Sequence, residues 1–122
     1  MAKVLVIDDD IQLCDVLKLM LTHEGHKVML THDGVEGINV FKDLKPDLVI
    51  TDIIMPNKDG IQVITELMAL NPYVPVIAMS GGRRSVTAEF NLESAGFLGV
   101  KSILSKPFTR EQLREALNHA LS

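Results

Sequence analysis

The stretch Val4-Leu5-Val6-Ile7-Asp8-Asp9-Asp10 runs four apolar residues straight into three acids. An apolar run that does not alternate suits a strand covered on both faces, the habit of parallel sheets. Two further runs of this kind follow, Leu48-Val49-Ile50 and Pro75-Val76-Ile77-Ala78-Met79. With two shorter segments they predict five strands, over 3–7, 27–31, 47–51, 75–79 and 102–105. Between them lie helical patterns. Leu13, Leu17 and Leu21 keep a four-residue step over 10–24, closed by Gly25. Asp33 and Glu36 mark a capped start for a helix to Leu44, and Val63, Ile64, Leu67 and Met68 mark another between Gly60 and Asn71-Pro72. A fourth is expected within 84–96. Thr109 with Gln112 makes a capping box for a fifth, carrying Leu113, Leu117 and Leu121. Five alternations of strand and helix predict an α/β domain with a central parallel sheet and helices on both faces.

Composition agrees and excludes much else. The 122 residues suit one domain, 1–122, and 47% hydrophobic with 23% charged residues is the balance of a soluble globule. A net charge of −4 offers no general pull towards nucleic acid or an anionic membrane, so neither direct nucleic-acid binding nor membrane insertion is expected. Cys14 is the single cysteine, which rules out an internal disulfide and fits a reducing, cytoplasmic location. The thiol reads as a small core residue. His23, His26, His32 and His119 have no ligand spacing and read as surface residues.

In open α/β sheets ligands gather at the carboxyl ends of the strands. Those ends carry Asp8, Asp9 and Asp10 after the first strand, Asp52 after the third, Ser80 after the fourth and Lys106-Pro107 after the fifth. Carboxylates held close together repel, by about 4 kcal/mol for a pair 4 Å apart at an effective dielectric near 20. A divalent cation relieves this. Oxygen donors without His or Cys suit Mg²⁺, with Mn²⁺ as the alternative, and the cation completes its shell with water and phosphate. A lysine and a hydroxyl beside such a centre suit the remaining phosphoryl oxygens, so the set reads as a phosphoryl-transfer site with a carboxylate nucleophile. There is no Gly-rich phosphate loop to imply a nucleotide. Asp10 reads as the residue that starts the first helix.

Four fragments in order, VLVIDDD at 4–10, DLVITDIIMPNKDG at 47–60, VIAMSG at 76–81 and LSKPF at 104–108, make the chain resemble a response-regulator receiver domain of two-component signalling. The resemblance implies a flavodoxin-like fold with sheet order 2-1-3-4-5. It implies that Asp52 accepts a phosphoryl group from a histidine kinase or a histidine phosphotransfer protein. Asp9, Asp52 and the backbone carbonyl of Ile54 would ligate the metal, with Asp8 acting through a metal-bound water. Ser80 and Lys106 would bind phosphoryl oxygens, and Met55, Pro56 and Gly60 would support the pocket. Self-catalysed phosphotransfer and autodephosphorylation are then the only chemistry expected, with Ile54 and Gly82 beside the path of the attacking water. The output would be a changed surface of fourth helix, fifth strand and fifth helix, read by a downstream protein or an appended output domain.

Two departures stand out. The position where the family carries an aromatic switch residue falls on Ile103, which has no ring to rotate. The segment 81–99, opening with Gly81-Gly82-Arg83-Arg84, is longer than the family's habit, which predicts a mobile or rearranged fourth helix. A different class also fits part of the pattern. Asp8 and Asp10 satisfy the Asp-x-Asp spacing of haloacid-dehalogenase-type phosphohydrolases, although Ile11-Gln12 follows where that family places Gly-Thr.

Overall fold

The computed structural model describes residues 1–53, 60–81 and 99–122. Five strands, β1 (Lys3–Ile7), β2 (Lys27–Thr31), β3 (Leu48–Asp52), β4 (Val76–Gly81) and β5 (Ser102–Lys106), form one sheet in the order β2-β1-β3-β4-β5. Every neighbouring pair is parallel. The described helices are α1 (Ile11–His23), α2 (Gly34–Leu44), α3 (Gly60–Leu70) and α4 (Arg110–Leu121), the last being the fifth of the sequence pattern. The helix expected within 84–96 and the long segment after Gly81 lie outside the described residues.

The continuous apolar runs are explained by two cores, one on each face. Val4, Val6, Leu48, Ile50, Ile77 and Met79 point to the face covered by Cys14, Leu17 and Leu21 of α1 and by Leu113, Ala116 and Leu117 of α4. Their neighbours Leu5, Ile7, Val49, Val76 and Ala78 point the other way, against Ile38 and Phe41 of α2 and Val63, Ile64 and Leu67 of α3. Successive strand residues face opposite sides, so both must be apolar when helices cover both. Each fully buried Leu or Ile contributes about 1.5–3 kcal/mol.

The helix ends follow their local chemistry. The Asp33 carboxylate accepts the Glu36 N–H at 2.7 Å. Thr109 and Gln112 form the reciprocal box, with the Gln112 N–H donating to Thr109 Oγ1 at 3.1 Å and the Thr109 N–H to Gln112 Oε1 at 2.8 Å. Gly25 follows α1 at φ +90°, a left-handed conformation that closes a helix without a Cβ penalty. Three strands run further than expected. Asp52, Ser80, Gly81 and Lys106 are ladder residues, not loop residues, because β4 keeps its register with β3 and β5 past the apolar run. Ile103 is half-buried and packs against the second core. No described helix is long and apolar enough to cross a membrane.

Candidate functional site

β1 lies between β2 and β3, so its carboxyl end faces that of β3 directly, and β5 closes the same edge beyond β4. Asp8 is fully buried just past β1, Asp52 ends β3 with 6% of its surface exposed, and Lys106 ends β5. One carboxylate oxygen each from Asp8, Asp9 and Asp52 can be chosen so that all lie within 4.8 Å of one another. Lys106 Nζ reaches over this group, donating to Asp8 Oδ2 at 2.8 Å and to Asp52 Oδ2 at 3.0 Å. Burial pulls the Lys106 pKa down. The hydrogen bond it donates to Asp8 and the charges of Asp52 and Asp8 outweigh it, leaving the ammonium above its ordinary value.

Further contacts hold Asp8 in place. Its Oδ1 accepts the Asp10 N–H at 2.9 Å, its own N–H donates to the Thr31 carbonyl at 3.0 Å, and its carbonyl accepts from Cys14 Sγ at 3.2 Å. Cys14 is buried, and desolvation with the nearby Asp8 charge pushes its thiol up to about 12, so it is a core residue as expected. Asp10 caps α1, its carboxylate accepting the Leu13 N–H at 3.1 Å.

Ser80 is 2% exposed, and its Oγ has no hydrogen-bond partner among the described residues. A buried hydroxyl left unsatisfied is unfavourable by about 1–3 kcal/mol, so a group that reaches this oxygen gains affinity there. Gly60 begins α3, and its N–H donates to the Ile53 carbonyl at 2.6 Å. A Cβ at Gly60 would collide with the Asp52 carbonyl oxygen and the Ile53 backbone, so only glycine lets α3 start this close to β3. Ile54, Met55, Pro56 and Gly82 lie outside the described residues. The Lys106-Pro107 peptide bond is cis.

Chemically, three carboxylates and one ammonium leave a formal excess of two negative charges. The oxygen-only donor set fits a small hard divalent cation of the Mg²⁺ kind. The sequence missed His32. It was expected at the surface, yet it is half-buried with Nδ1 3.2 Å from the Asp8 carbonyl oxygen. His26 is also half-buried, its Nδ1 accepting the Ala2 N–H at 3.1 Å. The pointer to His32 was positional, since it directly follows β2 at the edge where the acids gather.

A doubly wound parallel sheet with acids, a hydroxyl and a lysine at its carboxyl edge defines a flavodoxin-like domain with a charged cluster at that edge. The response regulator receiver domain profile matches residues 4–118, and the chain belongs to that family. It is 37% identical over 120 residues to the transcriptional regulatory protein GlrR of Escherichia coli strain K12, covering 98% of this chain and 26% of GlrR. It is 33% identical over 112 residues to the response regulator MprA of Mycobacterium avium strain 104, covering 91% and 47%. The chain thus spans between a quarter and a half of these relatives. A crystal structure of a response regulator receiver domain protein from Clostridium thermocellum superposes with a TM-score of 0.91 at 31% identity, covering 99% of this chain and 94% of that one. NtrX of Brucella abortus superposes with a TM-score of 0.90 at 28% identity, over 98% of this chain and 27% of that one.

Proposed function

We propose that this receiver unit, residues 1–122, takes a phosphoryl group onto Asp52 from a phosphohistidine of a histidine kinase or phosphotransfer protein. The observation that carries the reading is the convergence of Asp8, Asp9 and Asp52 under Lys106 at one sheet edge. An Asp52 carboxylate oxygen attacks phosphorus, forming an O–P bond while the N–P bond breaks and its electron pair returns to the imidazole nitrogen. Lys106 binds one phosphoryl oxygen, and the Ser80 hydroxyl, which has no partner among the described residues, donates to another. Asp9, Asp52 and the backbone carbonyl of Ile54 would hold Mg²⁺ (or Mn²⁺), with Asp8 acting through a metal-bound water. When bound, the cation offsets the clustered carboxylate charge and draws charge from the phosphoryl oxygens.

The acyl phosphate adds negative charge and acceptor oxygens where Lys106 now bridges two carboxylates. The redistribution biases the fourth-helix, fifth-strand and fifth-helix surface towards a second packing, read by a downstream protein or an appended output domain. Ile103 gives that surface an aliphatic residue where the family places a rotating ring. Autodephosphorylation by water is the only other chemistry; the domain is not a classical enzyme. It works in the cytoplasm, with no direct contact to nucleic acid.

The test is incubation with acetyl phosphate, with and without Mg²⁺, followed by intact-mass measurement and reductive trapping of the acyl phosphate. One phosphoryl group should appear on Asp52, only with the divalent cation, and Asp52→Asn should abolish it. A label on Asp8 would instead support the Asp-x-Asp hydrolase reading, and no label on Asp52 would refute the proposal.

A further inference from the structure

Asp8 has every polar group of its backbone engaged, and one of the donors is a side chain that the acceptor chemistry above does not use. His32 follows β2, half-buried, with Nδ1 3.2 Å from the Asp8 carbonyl oxygen. A carbonyl only accepts, so the ring nitrogen facing it must carry the proton. Cys14 Sγ approaches the same oxygen at 3.2 Å, but a thiol is a weak donor. The imidazole is therefore the stronger of the two hydrogen bonds to this carbonyl.

That carbonyl belongs to the peptide linking Asp8 to Asp9. A peptide unit is planar, so fixing the direction of its C=O also fixes the N–Cα vector from which the Asp9 side chain departs. We propose that His32 is a positioning residue for the acidic site. Donating from Nδ1 to the Asp8 carbonyl, it sets the pitch of the Asp8–Asp9 peptide and thereby aims the Asp8 and Asp9 carboxylates at the divalent cation. Partners that orient metal ligands from outside the coordination shell typically contribute about 10–100-fold in metal affinity. This inference rests on the cation-assisted site proposed above but not on phosphoryl transfer itself.

The test uses the full chain. At a pH where imidazole is neutral, the long-range ¹⁵N spectrum of the metal-free protein should show His32 protonated at Nδ1 and bare at Nε2. Calorimetric titration with Mg²⁺ alone should find His32→Leu weakened by about tenfold or more. His32→Asn, whose amide nitrogen falls near the place of Nδ1, should stay close to wild type. His32→Gln, whose amide falls near the place of Nε2, should resemble His32→Leu. Urea midpoints measured alongside separate aim from stability, because a purely structural role would not distinguish Asn from Gln.

An Nε2-protonated ring, unchanged Mg²⁺ affinity in His32→Leu, or equal losses in the Asn and Gln variants would each overturn the proposal. Should the wild type be labelled on Asp52 while His32→Leu binds Mg²⁺ normally, the positioning role fails and the acceptor reading survives. Should the Asn/Gln distinction hold while Asp52 takes no label, the reverse follows.

Discussion

Replacing Lys106 with methionine keeps the length and most of the apolar stem of the side chain but removes the ammonium that bridges Asp8 and Asp52. At an effective dielectric near 20, its contacts of 2.8 and 3.0 Å each supply about 5–6 kcal/mol of gross attraction. The same arithmetic gives about 3.5 kcal/mol of repulsion for carboxylate oxygens as far apart as 4.8 Å. Much of the gross attraction is cancelled by the desolvation of the ammonium, so the expected net loss is the about 3–5 kcal/mol typical of removing one partner of a buried pair. Against a usual total of about 5–15 kcal/mol, that is a large fraction of the stability.

Charge balance at the site also predicts a rescue. Mg²⁺ brings two positive charges to the same carboxylates, and stabilisation by a ligand grows as RT ln(1 + [L]/Kd). Lys106→Met should therefore bind Mg²⁺ more tightly than the wild type and gain more stability from it. Urea denaturation followed by far-UV circular dichroism, in chelator and again in millimolar Mg²⁺, reads both effects as midpoint shifts at unchanged slope. A variant that unfolds at the wild-type midpoint in chelator, or that gains no more from Mg²⁺ than the wild type, would refute the charge-balance reasoning.

Gly60→Ala should lose about 1–3 kcal/mol and slow the labelling of Asp52, because its Cβ meets backbone that cannot swing aside; paired urea and acetyl-phosphate measurements check both. The Cys14 thiol, pushed from 9.0 up to about 12, should hold roughly a thousandfold less thiolate at neutral pH than a free thiol. Iodoacetamide should accordingly modify it only as fast as the protein opens, and rapid labelling of the folded chain would contradict this. Stability should fall at alkaline pH for two reasons. From about pH 9 the unfolded chain releases the Cys14 proton before the folded one does, until the folded thiol also ionises near 12. The stabilisation from Lys106 is complete below its unfolded value of 10.5 and disappears as the pH passes its higher folded value. Urea midpoints against pH should show both declines, and Cys14→Ala should flatten the first.

The fold was legible wherever burial alone decides. Val4 to Ile7 are buried on both sheet faces, and Asp33 and Thr109 cap their helices as their spacing predicts. Strand ends were less legible, because apolar pattern marks where helices cover the sheet while backbone pairing continues into Asp52, Ser80 and Lys106. The acids and the lysine were legible through topology, since every parallel strand delivers its carboxyl end to one edge. What the sequence could not supply was which contacts form there. His32 and His26 carry no periodic signature, because an imidazole bonding one backbone atom leaves no trace in the spacing of apolar residues. Gly60 is explained only by the proximity of the Asp52 backbone.

Lys106 stands 98 positions along the chain from Asp8 and 54 from Asp52, and it sits on the outermost strand. Long-range pairing of this kind forms late, since distant segments must meet before any contact rewards the loss of chain freedom. A nascent polypeptide emerging from the ribosome would thus hold its acids without their counter-charge until β5 docks. Occupancy by a divalent ion during that interval would act as a temporary brace, later shared with the lysine.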